Sequence, residues 1–512
     1  MTAPAVDARP RAPWHAFVLV GGLLVAAAGI GLRLASTSDL WLDEALSVNI
    51  ARLPLADMID ALRRDGHPPL YYLVLHGWIS VFGDGDESVR SLSGVLSVAT
   101  LPLFWLAAKR YGGRTAAIAG VVLLATNPFA IRYATEARMY ALVTLLVVAG
   151  WLSVRVALEQ RSRLALLGTG ASAGLLLLSH YWSFYLVGAT AVVLLWLWRK
   201  GRAEARAVLL ALIVGCVLFV PWLPTFGDQA LNTGTPWGLP QRPTNVVTIS
   251  LTDWGGGTLN GLNGEAQLLG AGIAILALLA LFGRRTDDFH VELDVRTRRH
   301  ARPEAIVVAL TMGLAVVAGY ASASAFASRY TAGVFPLVLL VAAYGVTRLP
   351  RPAVQSAFVG VLAVLGMVGG VDNLVTQRTQ AGEIADYVAA NGAAGDVIAY
   401  CPDQLGPAVA RLLPAGFDQL TFPAGDSPQF VDWVDYEAKV QSVDPVAFAQ
   451  DVHERADGAT VWLVWSGGYR TLGASCETIG DQLRRLRPGG TAVVTSKDAF
   501  EHAWLFQYGP VP

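Results

Sequence analysis

The sequence predicts a multi-pass α-helical membrane protein that ends in an α/β domain. Hydrophobic residues make up 54% of the 512 residues and charged residues only 15%, whereas a soluble domain carries about 25% charged residues. Apolar runs of roughly 20 residues, the length that crosses a bilayer, recur as far as residue 371. Beyond that point, short strand-like and helix-like segments alternate. The net charge of −1 gives no reason to expect a nucleic-acid partner.

About eleven transmembrane helices are predicted from apolar stretches of sufficient length. They cover residues 16–36, 89–108, 115–132, 139–157, 164–179, 183–198, 207–223, 265–283, 304–324, 331–347 and 353–371. Most basic residues fall in alternate loops, and the positive-inside rule assigns those loops to the cytoplasm. We therefore expect a cytoplasmic N-terminus, an extracytoplasmic C-terminus and an integral protein of the plasma membrane.

One further apolar stretch, 67–82, is predicted to lie on the outer membrane surface instead of crossing the bilayer. Arg9 and Arg11 precede the first helix and the loop 109–114 is basic, so both belong in the cytoplasm. An even number of helices must separate them, and the first two spanning helices already supply that number. The stretch 67–82 is therefore expected to form an interfacial helix.

The predicted organisation has two domains. A transmembrane domain covers residues 1–371 and carries two long outer loops, 37–88 and 224–264. A soluble extracytoplasmic α/β domain covers 372–512. In this second domain we expect strands or helices at residues 396–400, 406–413, 460–465, 477–486, 491–495 and 502–508.

Two adjacent carboxylates, Asp43 and Glu44, stand where the chain leaves the first membrane helix. Ionisable groups are costly at this depth unless they face a cavity or bind a partner. Neighbouring helical side chains diverge by about 100°, so one carboxylate can be a general base while the other orients the base or a ligand. The alternative is structural, with Asp43 capping the next helix and Glu44 favouring its dipole. We rank function first, because further polar clusters follow.

Several more polar residues are predicted to reach the same outer face. Arg138 opens a membrane helix there, and a guanidinium binds phosphate oxygens with two hydrogen bonds. His67, ahead of two prolines, is a candidate donor to a phosphate or sugar, and Arg329 resembles Arg138 in its position. The other candidates for binding a donor phosphate or sugar are Arg33, Tyr72, Glu136, His180, Tyr181 and Tyr330.

These candidates also have structural interpretations. Glu136 and Arg138 can form an ion pair, and Tyr72 can belong to an aromatic belt at the membrane surface. For His180–Tyr181 the two interpretations have equal weight. Arg33, late in the first helix, is expected to pair with an acid in the cavity, because an unpaired charge is costly there.

The sequence contains no recognisable metal or redox motif. There is no His-Glu-x-x-His run and no closely spaced pair of cysteines. The acidic loop 84–87 is interpreted as solvated charge, with a divalent cation as the alternative. Cys401 and Cys476 lie in the predicted extracytoplasmic domain, where a disulfide would persist, but the sequence does not establish that they pair.

The order of these motifs resembles the GT-C superfamily of membrane glycosyltransferases, in particular the protein O-mannosyltransferase and aminoarabinose-transferase group. The match is good over residues 30–140, looser over 320–337, and absent from the C-terminal domain. The motifs that carry it are Arg33-Leu34, Trp41-Leu42-Asp43-Glu44-Ala45, Pro68-Pro69-Leu70-Tyr71-Tyr72, Glu136-x-Arg138-x-Tyr140 and Arg329-Tyr330.

The resemblance implies an inverting glycosyltransferase that uses a polyprenyl-phosphate sugar on the extracytoplasmic face. By this analogy Asp43 is the general base on the acceptor hydroxyl, and Arg138, His67 and Arg329 hold the departing phosphate. The acceptor is expected to be a lipid, glycan or protein of the cell envelope or cell wall. The Ala-, Gly-, Val- and Arg-rich composition is typical of a GC-rich genome, and on that basis mannose is the expected sugar, followed by arabinose.

Two other functions are open at this point. A transporter or flippase of lipid-linked sugars would place polar groups near mid-membrane and often shows internal repeats. Here the candidate residues collect at one predicted face and no repeat is visible, which favours the enzyme. An inactive homologue would use the C-terminal domain to bind a partner. In the enzyme, that domain is expected to bind the acceptor.

Overall fold

The computed structural model describes residues 14–233, 238–257, 264–296, 300–425 and 427–510. Arg9 and Arg11, on which part of the predicted topology rests, lie outside these ranges. The described chain forms a helical bundle followed by an α/β domain, and four helices form its beginning. They are α1 (Trp14–Leu32), α2 (Leu42–Ala51), α3 (Leu55–Asp65) and α4 (Leu70–Phe82).

The rest of the bundle contains twelve α-helices, a β-hairpin and two 3-10 turns within the described residues. The helices are α5 (Asp86–Thr126), α6 (Pro128–Ala134), α7 (Tyr140–Gln160), α8 (Arg163–Leu177), α9 (Ser183–Arg199), α10 (Ala203–Cys216), α11 (Leu223–Asn232), α12 (Pro243–Trp254), α13 (Gly264–Phe282), α14 (Arg302–Ala321), α15 (Phe335–Val346) and α16 (Pro352–Val375). The 3-10 turns are Val217–Trp222 and Ser328–Gly333, and the hairpin joins β1 (Gly283–Arg285) to β2 (Val291–Leu293).

Helix length and composition agree with an integral membrane protein. Six helical stretches among the described residues are long and apolar enough to cross a bilayer, and five shorter apolar helices accompany them. The helix α5 contains a break at Gly113, whose φ of 77° lies in the left-handed region that favours glycine. This break divides α5 where the sequence places two separate spans. The number of eleven crossings stays a prediction.

Two predicted spans have the wrong bounds because proline ends or delays the helix. The span 115–132 stops at Thr126, where Asn127 caps the short helix α6 by accepting a hydrogen bond from the Ala130 N–H at 3.2 Å. The span 331–347 begins as a 3-10 turn, and its α-helix starts only at Phe335, with Pro336 in its first turn.

The C-terminal domain is built on a five-stranded sheet. The strands are β3 (Val397–Cys401), β4 (Asp418–Thr421), β5 (Val461–Trp465), β6 (Thr491–Val494) and β7 (Trp504–Tyr508). Their order in the sheet is β4-β3-β5-β7-β6. Strands β3, β4 and β5 are parallel, while β7 runs antiparallel to β5 and β6. The helices are α17 (Ala381–Asn391), α18 (Gly406–Ala410), α19 (Tyr436–Ser442), α20 (Pro445–Arg455) and α21 (Ser475–Leu486).

Sequence reasoning missed part of this domain. Strand β4 was not predicted because it is short and its first residues, Asp418 and Gln419, are polar. Helices α17, α19 and α20 were also missed. The question left open about the cysteines is answered in the structure, where Cys401 and Cys476 form a disulfide with a Cα–Cα distance of 5.5 Å.

Close helix packing in the bundle depends on small residues, which lead to a stability prediction. A Cβ added at Gly345 of α15 would overlap the backbone carbonyl of Leu276 in α13. Gly345→Val should therefore lower the free energy of unfolding by about 1–3 kcal/mol through overpacking. The measurement is the thermal unfolding temperature of the detergent-solubilised protein.

The matched control is Gly360→Val in α16, where an added Cβ meets no atom within 4 Å. Equal unfolding temperatures for the two variants would contradict the α13–α15 packing described here.

Candidate active site

Glu44 is the centre of a buried ion-pair network at the start of α2. Arg90 of α5 donates to both carboxylate oxygens, from Nε to Oε1 at 2.8 Å and from Nη2 to Oε2 at 2.6 Å. The Ala137 N–H donates to Oε1 at 2.9 Å, and Arg378 lies 3.8 Å away. Burial by itself would raise the pKa of Glu44, but Arg90 and Arg378 outweigh it and hold that pKa below its usual value. Glu44 is thus a buried carboxylate that contacts three separate parts of the chain, through Arg90, Ala137 and Arg378.

Asp43 faces a different side of α2 and remains accessible. Its side chain is 18% exposed, while that of Glu44 is fully buried. Two guanidinium groups flank its carboxylate, with Arg138 Nη2 at 3.6 Å and Arg329 Nη2 at 3.8 Å from Oδ2. These separations are too long for strong hydrogen bonds. The carboxylate therefore lies between two cations without being fully engaged by either.

Arg138 is held by a chain of hydrogen bonds that sequence reasoning did not foresee. Its Nη1 donates to Ser47 Oγ at 3.1 Å, and its Nη2 donates to His67 Nε2 at 3.0 Å. His67 in turn donates from Nδ1 to Asp65 at 2.8 Å, and the Tyr72 hydroxyl donates to the same Asp65 oxygen at 2.8 Å. An imidazole that accepts at Nε2 and donates at Nδ1 is the neutral tautomer. His67 and Tyr72 therefore orient Arg138 in this structure.

Glu136 belongs to a second buried cluster next to this site. Its Oε1 accepts from Arg132 Nε at 3.2 Å, and Arg132 also lies 3.8 Å from Asp253 of α12. The Glu136–Arg138 ion pair, which was the structural alternative for these residues, is therefore not formed; the partner of Glu136 is Arg132, which lies four residues earlier. The aromatic residue Phe500, from the C-terminal domain, lies 5.7 Å from the Arg132 guanidinium.

Aromatic rings form another wall near Arg329. His180 lies 5.3 Å from the Tyr330 ring and 5.8 Å from the Tyr140 ring, measured between centroids. Burial, together with nearby cations, lowers the pKa of His180 to about 3. His180 is therefore neutral at physiological pH and accepts a hydrogen bond at Nδ1 from the Trp182 N–H at 3.1 Å. It cannot supply positive charge to a phosphate.

Two predicted ligand-binding residues lie in other environments. Arg33 does not pair with an acid: its guanidinium donates to Ser97 and to the backbone carbonyls of Gly29, Leu124 and Ala125. Backbone carbonyls at helix ends, in place of a carboxylate, accept the hydrogen bonds of the Arg33 guanidinium. Tyr181 is hydrogen-bonded to Gln229 and to Trp222 within an aromatic cluster. Neither of these two groups contacts Asp43 or its flanking arginines.

Three residues important to this arrangement were missed or undervalued by sequence reasoning: Asp65, Arg90 and Arg378. Arg378 donates to the Thr135 carbonyl and hydroxyl at 2.7 Å and approaches Glu44. A signal existed, because Arg378 follows the last apolar helix on the predicted outer side, where basic residues are scarce. Asp65 immediately precedes the Gly-His-Pro-Pro run, but an acid in an outer loop has no distinctive pattern.

No metal site is apparent in the part of the chain that the structure describes. No group of three or more His, Cys, Asp or Glu residues lies close enough to hold an ion. In the acidic loop, Asp84 pairs with Arg52 at 3.0 Å and Asp86 pairs with Arg411 at 3.2 Å.

Several buried polar atoms around Asp43 have no hydrogen-bond partner among the described residues. They are Trp41 Nε1, Arg138 Nε and Glu136 Oε2. Such atoms are rare in folded proteins and cost free energy unless a ligand or water satisfies them. Trp41 Nε1 and Arg138 Nε are donors, and their position beside an accessible carboxylate and two arginines indicates a site for a polar, anionic ligand.

The contrast between the two carboxylates predicts opposite effects of neutral substitutions on stability. Glu44→Gln leaves Arg90 and Arg378 buried without their counter-charge, so it should lower the free energy of unfolding by about 3–5 kcal/mol. Asp43→Asn should change stability little, because that side chain is only loosely engaged. Thermal unfolding in detergent measures both changes in stability. Equal losses of stability in the two variants would contradict a structural role for Glu44 and a loosely engaged Asp43.

Comparison with known proteins agrees with this architecture. The model of the family "Dolichyl-phosphate-mannose-protein mannosyltransferase" matches residues 66–224, which include His67, Glu136 and Arg138. None of the curated proteins matches the sequence closely enough to count as a relative.

Two solved structures resemble the whole chain. ArnT from Cupriavidus metallidurans bound to undecaprenyl phosphate has a TM-score of 0.58 at 13% identity, covering 98% of each chain. The same protein in the apo state has a TM-score of 0.61 at 14% identity, covering 97% of this chain and 98% of that one. These likenesses establish the fold. The predicted fold is confirmed: the chain folds like the two ArnT structures, and its residues 66–224 resemble the mannosyltransferase family.

Proposed function

We propose that this protein transfers a sugar from a polyprenyl-phosphate donor to a hydroxyl of a lipid, glycan or protein acceptor, with inversion at the anomeric carbon. The observation that carries the proposal is the accessible Asp43 carboxylate between Arg138 and Arg329. A base and a phosphate-binding pair of cations are thereby placed side by side. The matching family is named for dolichyl phosphate and the similar ArnT structure binds undecaprenyl phosphate, and both support this class of donor.

The proposed reaction needs both a base and a pair of phosphate-binding cations. The acceptor oxygen attacks the anomeric carbon while Asp43 takes the hydroxyl proton as general base. The bond between that carbon and the phosphate oxygen breaks, and polyprenyl phosphate leaves with its electron pair. Arg138 and Arg329 stabilise the negative charge that grows on the leaving phosphate, which is electrostatic catalysis. A phosphate bound by these arginines also competes for the cations that flank Asp43, which leaves that carboxylate free to accept a proton.

Glu44 and His67 have supporting roles in this proposal. Glu44 is fully engaged by Arg90, so we assign it to positioning α2, not to proton transfer. His67 accepts the Arg138 N–H and is oriented by Asp65, so it holds the phosphate-binding guanidinium in place. We retain Tyr330, which lies beside Arg329, as a contact for the sugar or phosphate.

Two cavities along α7 and α9 support a lipid-linked donor. One lies beside Tyr140, His180 and Tyr330, and the other, further along the same helices, is lined mainly by aliphatic and small residues. We propose that the lipid of the donor follows the path marked by these two cavities. The second cavity lies between Gly150 and Val154 of α7 and Val187 and Thr190 of α9. The part of α7 that lines the two cavities extends roughly 20 Å from Tyr140, at 1.5 Å per residue. A polyprenyl chain in this path would place its phosphate at the arginines.

We further propose that the protein is in the plasma membrane and that the site is extracytoplasmic. The Cys401–Cys476 disulfide supports this location, because disulfides persist in oxidising compartments. Mannose, followed by arabinose, remains the expected sugar, and an envelope or cell-wall component the expected acceptor. No observation in the described residues favours transport of the lipid-linked sugar instead.

The first test measures sugar transfer in membranes supplied with radiolabelled polyprenyl-phosphate mannose, then arabinose. Asp43→Asn should lower kcat by about 10²–10⁴-fold, because the base is lost. Arg138→Lys should lower it by about 10²–10³-fold, because a lysine cannot replace the planar guanidinium.

Matched controls come from the same outer segment. Asp60 and Arg63 are exposed and pair with each other at 2.6 Å, so Asp60→Asn and Arg63→Lys should transfer at the wild-type rate. Wild-type transfer by well-inserted Asp43→Asn would reject Asp43 as the base. Movement of the lipid-linked sugar across vesicles without any transfer would favour the flippase.

The second test concerns the apolar path. Val187→Trp fills the cavity between α7 and α9 and should raise KM for a donor with a long polyprenyl chain by about 10-fold, without affecting a donor with a ten-carbon chain. The expected size corresponds to the loss of about one or two buried methylene contacts. Equal effects on both donors would show that the path does not bind the chain.

A further inference from the structure

The parallel strands of the C-terminal domain meet at a topological switch point. Strand β3 lies between β4 and β5 in the sheet, and both neighbours run parallel to it. The chain leaves β3 toward β4 on one side and later returns to add β5 on the other side. In open α/β sheets, ligands bind in the crevice outside the carboxyl ends of two such strands. The loops after β3 and β5 therefore form the expected ligand-binding edge of this domain.

Three side chains at this edge carry buried polar atoms without partners. Gln404 follows β3, and Ser466 directly follows β5. Glu501 belongs to the same edge, because it precedes β7, whose first residue Trp504 pairs with Trp465 at the end of β5. The exposed fractions of Gln404, Ser466 and Glu501 are 2%, 2% and 7%. Gln404 Oε1, Ser466 Oγ and both Glu501 carboxyl oxygens have no hydrogen-bond partner among the described residues. We call these three residues the strand-end site.

The packing of the domain does not explain these unpartnered atoms. The adjacent Asp403 is also buried, but it accepts a hydrogen bond from the Tyr436 hydroxyl at 2.6 Å. Buried polar atoms nearly always have a partner, because an unmade hydrogen bond costs stability. Several such atoms at one edge indicate that a ligand supplies the missing bonds. Solvent reaches this edge beside Phe500, which is 43% exposed, and beside Gly468, which is also exposed.

The strand-end site faces the helix that carries the proposed base. Helix α18, which begins two residues after Gln404, packs against α2. Leu46 of α2 is 3% exposed and belongs to the core of the C-terminal domain. The ring of Phe500 meets Trp41 edge-on with centroids 4.8 Å apart, and the Arg329 guanidinium lies 5.8 Å from the same indole ring. Trp41 thus connects the edge of the sheet with an arginine assigned to the donor phosphate.

The chemistry of the strand-end site fits an uncharged ligand that is rich in hydroxyl groups. The Gln404 amide oxygen accepts hydrogen bonds, while the Ser466 hydroxyl both donates and accepts. Burial raises the pKa of Glu501 to about 8, so at neutral pH this carboxyl group is mostly uncharged and also does both. A phosphate or a carboxylate would meet no cation among these three side chains. The ring of Phe500 adds an apolar surface for the C–H face of a sugar ring.

We propose that the strand-end site binds the acceptor, and that this acceptor is a neutral glycan whose hydroxyl groups supply the missing hydrogen bonds. Its role as acceptor rests on the proposed function, whereas the binding of a glycan does not. A glycan held at the edge of the sheet, beyond Trp41, extends one further hydroxyl to Asp43. The C-terminal domain thus selects a carbohydrate over a phosphorylated lipid or a peptide.

The first test is independent of activity and uses the full-length protein in detergent micelles. Ser466→Ala and Glu501→Leu remove polar atoms that have no partner, so the thermal unfolding temperature should equal or exceed that of the wild type. Binding of neutral trisaccharides of mannose, arabinose, galactose and glucose is followed by intrinsic tryptophan fluorescence, because Trp41 adjoins the site. Their binding should weaken by about 5-fold in Ser466→Ala and at least 10-fold in Glu501→Leu.

The matched controls are Ser442→Ala in α19 and Glu454→Leu in α20, both at exposed positions of the same domain. They should bind the trisaccharides as the wild type does. A wild type that binds none of the four trisaccharides would overturn the proposal. Lower unfolding temperatures for Ser466→Ala and Glu501→Leu, with unchanged glycan binding, would also overturn it, because the polar atoms would then be part of the folded core.

The second measurement is kinetic and uses the trisaccharide that binds most tightly as the acceptor. Ser466→Ala and Glu501→Leu should raise the acceptor KM by the same factors as they weaken binding, with kcat and the donor KM unchanged. A lowered kcat with unchanged acceptor KM would overturn the proposal, because the two residues would then position the base. If the wild type binds the glycan but transfers no sugar from any donor, the proposed function fails and the strand-end site stands as a glycan-binding site.

Discussion

The buried ion pair between Glu44 and Arg90 is the interaction on which the candidate site depends. It joins α2 to α5, and the Ala137 N–H brings the turn before α7 to the same carboxylate. Arg378 adds the segment that leads into the C-terminal domain. A buried charge is tolerated only when its partners satisfy it, so these four segments can occupy only the arrangement in which they meet at Glu44. That arrangement places Asp43 beside Arg138 and Arg329.

Several ionisable groups around the site are held in their neutral form. His67 is held as a neutral imidazole between Asp65 and Arg138, and burial keeps His180 and Glu501 uncharged at neutral pH. The charged groups that meet at Asp43 are therefore that carboxylate, the partly exposed Arg329 and the buried Arg138. This selectivity explains how one region can contain so many ionisable residues and still present a simple surface to a sugar phosphate.

Sequence reasoning identified the candidate residues better than their partners. It grouped Asp43, His67, Arg138 and Arg329 on one face, and the structure brings these four together. It expected an acid beside Arg33 and allowed a Glu136–Arg138 pair as an alternative, whereas Arg33 binds carbonyls and Glu136 pairs with Arg132. Partner choice depends on rotamers and on helix ends that meet in space, and neither is encoded in the spacing of residues along the chain.

By itself the sequence determined the membrane class, the helical bundle, the α/β domain and the resemblance to a family of membrane glycosyltransferases, because run lengths, charge and local motifs are properties of the chain alone. Only the tertiary structure decided which of two adjacent carboxylates is buried and which is accessible. Arg90 reaches Glu44 from 46 residues along the chain. Phe500 reaches Trp41, at the start of α2, from another domain. A contact between distant segments forms only when their elements pack, and so the pattern of neighbouring residues could not reveal it.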